Sequence, residues 1–133
     1  MKNLKYVLVL LLVVNVFSCF SDESSVDIQA RIDALEEAIN NNDYAAFRDC
    51  FDEDAVNYDT YTSTMFNDDI TENGNTNYSF GSLMIIGNSV TCTATITGTG
   101  AGVEPTTFEM IERDGDYYIL EWREDGTLMF NKK

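Results

Sequence analysis

"NNDYAAFRDCFDEDAVNYD", residues 41–59, changes its periodicity twice. Asn41 and Asn42 are turn formers, and Asp43 is a residue type that caps helix N-termini. Phe47, Cys50 and Phe51 then recur at helical spacing, with Tyr44 and Ala46 alongside. Beyond Asp54 that spacing stops, and Ala55-Val56-Asn57-Tyr58-Asp59 reads as a short strand. The stretch therefore predicts a turn, a short helix with one apolar face, and a strand leading away from it.

Toward the N-terminus, Ile28, Ile32, Leu35 and Ile39 form one apolar stripe of a longer helix. Ser25 or Asp27 can cap its start, and Asn40-Asn41-Asn42 ends it. Toward the C-terminus, residues 60–76 are polar, and Met65, Phe66 and Ile70 fit either a brief helix or a covering loop. From Tyr78 onward the period is two. Val90, Cys92, Ala94 and Ile96 alternate with Thr91, Thr93, Thr95 and Thr97, giving one buried and one wet face. Gly87-Asn88, Gly98 to Gly102 and Asp114-Gly115 are turn signals. Tyr118, Leu120 and Trp122 form a further alternating face, and Thr127 to Phe130 supply a final strand. The expected class is α+β, with N-terminal helices packed on a curved antiparallel sheet.

Residues 41–59 resemble the helix-to-strand passage of the nuclear transport factor 2-like superfamily, which includes ketosteroid isomerase and the SnoaL-like proteins. "TTFEMIERDGDYYILEWR", residues 106–123, is similar to that family's closing hairpin. The likeness spans most of residues 26–124. It implies a cone-shaped, cystatin-like α+β fold with a cavity between helices and sheet, and dimers formed through the sheet. It also implies that Asp59 stands where the isomerase branch keeps its general base. Such chemistry needs oxyanion donors as well. The resemblance puts Leu35, which cannot donate, at the place of the donor Tyr. Glu109 lies near the place of the second acid, but strand alternation turns it toward water. An isomerase or lyase using Asp59 is therefore the alternative reading, and a non-catalytic domain is the expectation.

Other chemistries are narrowed by composition. The chain has no histidine, which removes His general bases, Ser-His-Asp triads and His-ligated zinc. No phosphate-binding glycine loop of the usual spacing occurs, and no cofactor is expected. Asp69-Ile70-Thr71-Glu72-Asn73-Gly74 begins like a calcium loop, but Phe80 occupies the position of the bidentate Glu, so no metal is expected. Cys50 and Cys92 fall on apolar faces. They are either two buried thiols or a disulfide closing about 43 residues and contributing roughly 4 kcal/mol. The aromatics are either core or pocket. Phe47, Tyr58, Tyr118 and Trp122 are the pocket-lining candidates, the last three above all because a buried OH or NH needs a partner.

The N-terminus decides location. Lys2 and Lys5 precede the apolar run Tyr6 to Val14, as in an export signal, and the run is too short to span a bilayer. Val16-Phe17-Ser18-Cys19 resembles a bacterial lipobox, which implies acylation of Cys19 after removal of residues 1–18. The expected order is a lipoprotein signal at 1–18, a lipidated Cys and acidic tether at 19–25, and one α+β domain at 26–133. The membrane is then a partner through lipid, and the protein faces the periplasm or the cell surface. Loss of Lys2 and Lys5 leaves six basic against 23 acidic residues, a formal charge of −17. That charge repels phosphate backbones and excludes nucleic acid as a partner. A small apolar ligand, a protein partner or a second copy remain the candidate occupants. A structural or assembly lipoprotein without ligand is the third reading.

Overall fold

The structure, a computed structural model, describes residues 23–55, 57–68, 75–98, 101–125 and 127–128. The signal segment, Cys19, the calcium-like stretch at 69–74 and residues 129–130 lie outside the described residues. Helix α1 (Glu23–Asn40) carries the expected stripe inward, with Ile28, Ile32, Leu35, Ala38 and Ile39 buried. It begins inside the expected tether, so Glu23, Ser24 and Ser25 are helical rather than leash. An acidic residue in the first turn suits the positive end of the helix dipole, which favours the earlier start.

Helix α2 (Tyr44–Asp49) is capped by Asp43, whose carboxylate accepts from the Ala46 N–H at 3.0 Å. A second short helix, α3 (Ser63–Asn67), is capped by Thr62 and buries Phe66. The strands are β1 (Asn75–Ile86), β2 (Ser89–Gly98), β3 (Gly102–Arg113), β4 (Asp116–Glu124) and β5 (Thr127–Leu128). They form one curved antiparallel sheet in chain order, a meander with β1 and β5 at its edges. The α+β expectation holds.

Helix α1 also guards the sheet edge. Asn40 accepts from the Tyr78 N–H at 2.7 Å and donates to the Tyr78 carbonyl at 2.9 Å. Glu36 accepts from the Phe80 N–H at 2.8 Å. Unpaired strand groups that could template another chain are thereby occupied. On the other side, Arg31 donates to the Tyr117 carbonyl at 2.6 Å and the Asp49 carbonyl at 3.2 Å, tying α1 to β4 and α2.

Two sequence expectations fail for identifiable reasons. The expected strand Ala55–Asp59 is not found among its described residues; Ala55 and residues 57–59 lie in a bend and turns. Asp54 N–H donates to the Asp52 side chain, Ala55 N–H to the Asp52 carbonyl, and Tyr58 N–H to the Ala55 carbonyl. Local turn bonds thus win over the modest strand preference of this stretch. Contact with the sheet comes earlier, through a single parallel bridge between Phe51 and Ile119. In β4, the pairing passes from Glu109–Glu121 to Met110–Ile119, so Leu120 is an extra residue in a bulge. Ile119 and Trp122 are consequently both buried, while Tyr118 and Leu120 are half-buried.

Candidate binding site

The centre of the space between helices and sheet is filled. The widest opening among the described residues, a groove of about 210 Å³, lies at its margin between α1 and the β3–β4 turn, lined by Asp27, Ala30, Arg31, Asp116 and Tyr117. Phe47 lies 4.7 Å from Phe66 and 5.0 Å from Phe51, measured between ring centroids. Trp122 lies 5.6 Å from Phe108 and 5.8 Å from Phe80, and Leu35 is fully buried. Trp122 is therefore a core residue, not the wall of an open cavity.

A small depression survives beside α2. Tyr44, Phe47, Arg48 and Phe51 come from the helix and its end, and Ala55, Asn57, Tyr58 and Tyr61 from the turns after it. Its inner space is about 20 Å³, enough to seat a water-sized group, and about 270 Å³ with the open mouth included. Phe47 and Tyr58 of the sequence candidates line it. Tyr118 does not; its ring sits under the Arg31 guanidinium at 4.6 Å.

Asn57 stands behind the almost wholly apolar lining of the depression. It has φ 67°, a left-handed conformation that Asn tolerates better than most residues, and its carbonyl accepts from the Thr60 and Tyr61 N–H groups. Both side-chain polar atoms are buried and find no hydrogen-bond partner among the described residues. Arg48 flanks them, its guanidinium 4.2 Å from the Tyr58 ring centroid. The Tyr58 and then the Tyr44 phenol beside it hold the Arg48 charge more firmly than usual. Tyr44 Oη donates to the Tyr61 carbonyl at 2.6 Å, fixing the opposite wall.

Asp59 is exposed in the neighbouring turn and does not line the depression. Glu109 is exposed, as alternation predicted, and accepts from the Ser89 hydroxyl. Cys50 and Cys92 are free buried thiols, not a disulfide. Cys50 donates to the Ala46 carbonyl beside the Phe51–Ile119 bridge, whereas Cys92 lies on β2 opposite Thr106. Among the described residues no group of three or more Cys, Asp or Glu side chains converges to hold a metal.

One ionisable residue escaped the sequence reading. Glu124 ends β4 opposite Thr106, which itself lies opposite Cys92, so a polar row crosses the inner face. It is 9 % exposed, and one carboxylate oxygen has no partner among the described residues. Burial, then the charge of Glu104, pushes its pKa up to about 7. Burial and Glu124 push the Cys92 thiol to about 11. The signal was the two-residue step from Trp122 to Glu124, which places both on one face. For Asn57 no comparable signal exists, because its burial depends on the turn geometry.

No family model matches the chain, and no curated protein matches it. Among solved structures, the chain is similar to a single-substitution form of Rv3472, "a function unknown protein from Mycobacterium tuberculosis". The TM-score is 0.52 at 16 % identity, over 76 % of this chain and 70 % of the other. Likeness at that identity establishes the fold alone.

Proposed function

We propose that this is a lipid-anchored bacterial envelope protein whose nuclear transport factor 2-like domain binds a partner without catalysis. The family reading is supported by helices preceding a curved antiparallel meander and by likeness to a solved structure of that arrangement. Anchoring is supported by the lipobox-like Val16-Phe17-Ser18-Cys19. One observation carries the choice of binding over chemistry: aromatic side chains fill the interior while Asp59 stands exposed outside it. A proton-abstracting carboxylate needs a substrate held against it in a water-poor cavity. The surface depression beside α2 suits a group projecting from a larger partner.

Native mass spectrometry of the protein extracted from its membrane tests this reading. The expected species lacks residues 1–18, carries acyl chains on Cys19 and releases no substrate-sized molecule. Full-length unmodified chain in the cytosol overturns the anchor, and a stoichiometric retained small molecule overturns the filled interior.

A further inference from the structure

Resting on that partner-binding reading, we propose that a partner is a second copy of this chain, joined edge to edge through residues 83–86 of β1. Helix α1 covers only the first half of this edge strand. Its Asn40 and Glu36 occupy Tyr78 and Phe80, and toward its N-terminus the helix crosses to β4, where Arg31 meets the Tyr117 carbonyl. Ser82, at φ 58°, sits in a bulge between the Gly81–Thr93 and Met84–Thr91 pairs. Beyond it, no described residue takes the helix's place. The Ile86–Ser89 pair closes the two-residue Gly87-Asn88 turn. Ladder alternation from that pair turns the Ile85 N–H and carbonyl, and the Leu83 carbonyl, out of the sheet. Among the described residues these groups have no hydrogen-bond partner.

Charge and symmetry select the occupant. Residues 73–103 hold no Asp, Glu, Lys or Arg, in a chain of formal charge −15. Edge strands are commonly blunted by Lys or Pro, and β1 carries neither. Two copies meeting by their acidic surfaces bring carboxylates together, whereas two copies meeting by this edge bring none. The edge is also its own complement. A two-fold axis through Met84 lets the Ile85 N–H of each copy donate to the Leu83 carbonyl of the other and sets the two Met84 side chains against each other. Leu83 and Ile85, half-buried against the core, gain cover, as do Met84 and Ile86, which stand 55 % and 69 % exposed. Anchoring through Cys19 holds the copies in one membrane plane, which raises their effective concentration.

The test is native mass spectrometry of the acylated full chain released from detergent micelles, joined to disulfide trapping and amide hydrogen exchange. Two copies per complex are expected, with exchange at Ile85 slowed as the dimer forms. Met84→Cys should lock into a covalent dimer on mild oxidation, because the axis opposes the two residues directly in a non-hydrogen-bonded pair. Val103→Cys, 66 % exposed but on β3, should not, and neither should the parent chain. Met84→Lys opposes two ammonium groups on the axis and should weaken the dimer at least about tenfold. Val103→Lys, with the same charge away from the edge, should leave it intact. A circular dichroism spectrum matching the parent's marks the Met84→Lys effect as one of interface, and the exchange and trapping results stand without that variant. Monomer throughout overturns the proposal. So does a dimer with unchanged Ile85 exchange, as contact through a sheet face would give, or full-strength dimerisation of Met84→Lys. A complex that holds a different protein on this edge in place of the second copy overturns it too. None of these results alters the acylation and retained-ligand readouts, so failure here is distinguishable from failure of the envelope-binding reading.

Discussion

Arg113 holds two carboxylates at once. Its guanidinium meets Asp52 at 3.0 and 3.2 Å and Asp54 at 2.9 Å. Asp52 is buried, and the hydrogen bond from Arg113 keeps its carboxyl below the usual carboxylate range. Arg113 itself is 45 % exposed, so solvent screens much of the attraction. Arg113→Ala leaves the Asp52 oxygens short of donors and should lower the unfolding midpoint. Arg113→Lys should recover only part, because one ammonium lacks the planar fork that reaches both acids. Urea unfolding at pH 7 measures this, and an unchanged midpoint in Arg113→Ala would contradict it. The contribution is present above the unfolded Asp value and is lost as pH falls through the depressed folded value, so the gap between variants should close in acid. At this scale the candidate site was half legible. Phe47 and Tyr58 stand out as aromatics beside a helix period, whereas the burial of Asn57 goes with a left-handed backbone that side-chain pattern does not encode.

Between elements, the contact of α1 with the β1 edge carries more than packing. Asn40 makes a two-point bond to Tyr78, the side-chain equivalent of a missing strand. Asn40→Ala should strip both bonds, costing about 1–2 kcal/mol, and leave an open edge on the strand that also carries exposed Met84 and Ile86. Thermal melting and concentration-dependent light scattering read the two effects separately. A variant that melts as the parent does and stays equally monodisperse would remove the edge-guarding role. The helix stripe from Ile28 to Ile39 and the Val90–Ile96 alternation were legible because regular elements repeat their burial. The β4 face was not, since a period of two assumes equal residue counts on paired strands and Leu120 breaks that equality. The stretch around 55–59 misled for another reason: alternating side chains looked like a strand, while Asp52 accepts from the Asp54 and Ala55 N–H groups and holds the backbone in a turn.

For the whole molecule, acidity sets how stability varies with pH. A formal charge of −15 implies general self-repulsion that grows gradually as carboxyls ionise. Glu124 adds a local step on top. Its pKa rises from 4.5 unfolded to about 7 folded, through burial and then the Glu104 charge. A raised carboxyl pKa means that the folded state binds the proton more tightly. The resulting stabilisation is fully present below the unfolded value and is lost as pH climbs through about 7, a step on the order of 3 kcal/mol. Its sign is opposite to that of Asp52, whose contribution grows with rising pH and is complete above the unfolded Asp value. Glu124→Gln removes the ionisation while keeping the side chain's size. It should flatten the decline in melting temperature between pH 5 and 8 and leave the variant the more stable protein at pH 8. Glu104→Gln, which keeps Glu124 but removes the neighbouring charge, should shift the step to lower pH without abolishing it. Calorimetry of the parent and both variants across that range decides the matter. Parallel curves for the parent and Glu124→Gln would assign the slope to general repulsion rather than to this one buried carboxyl.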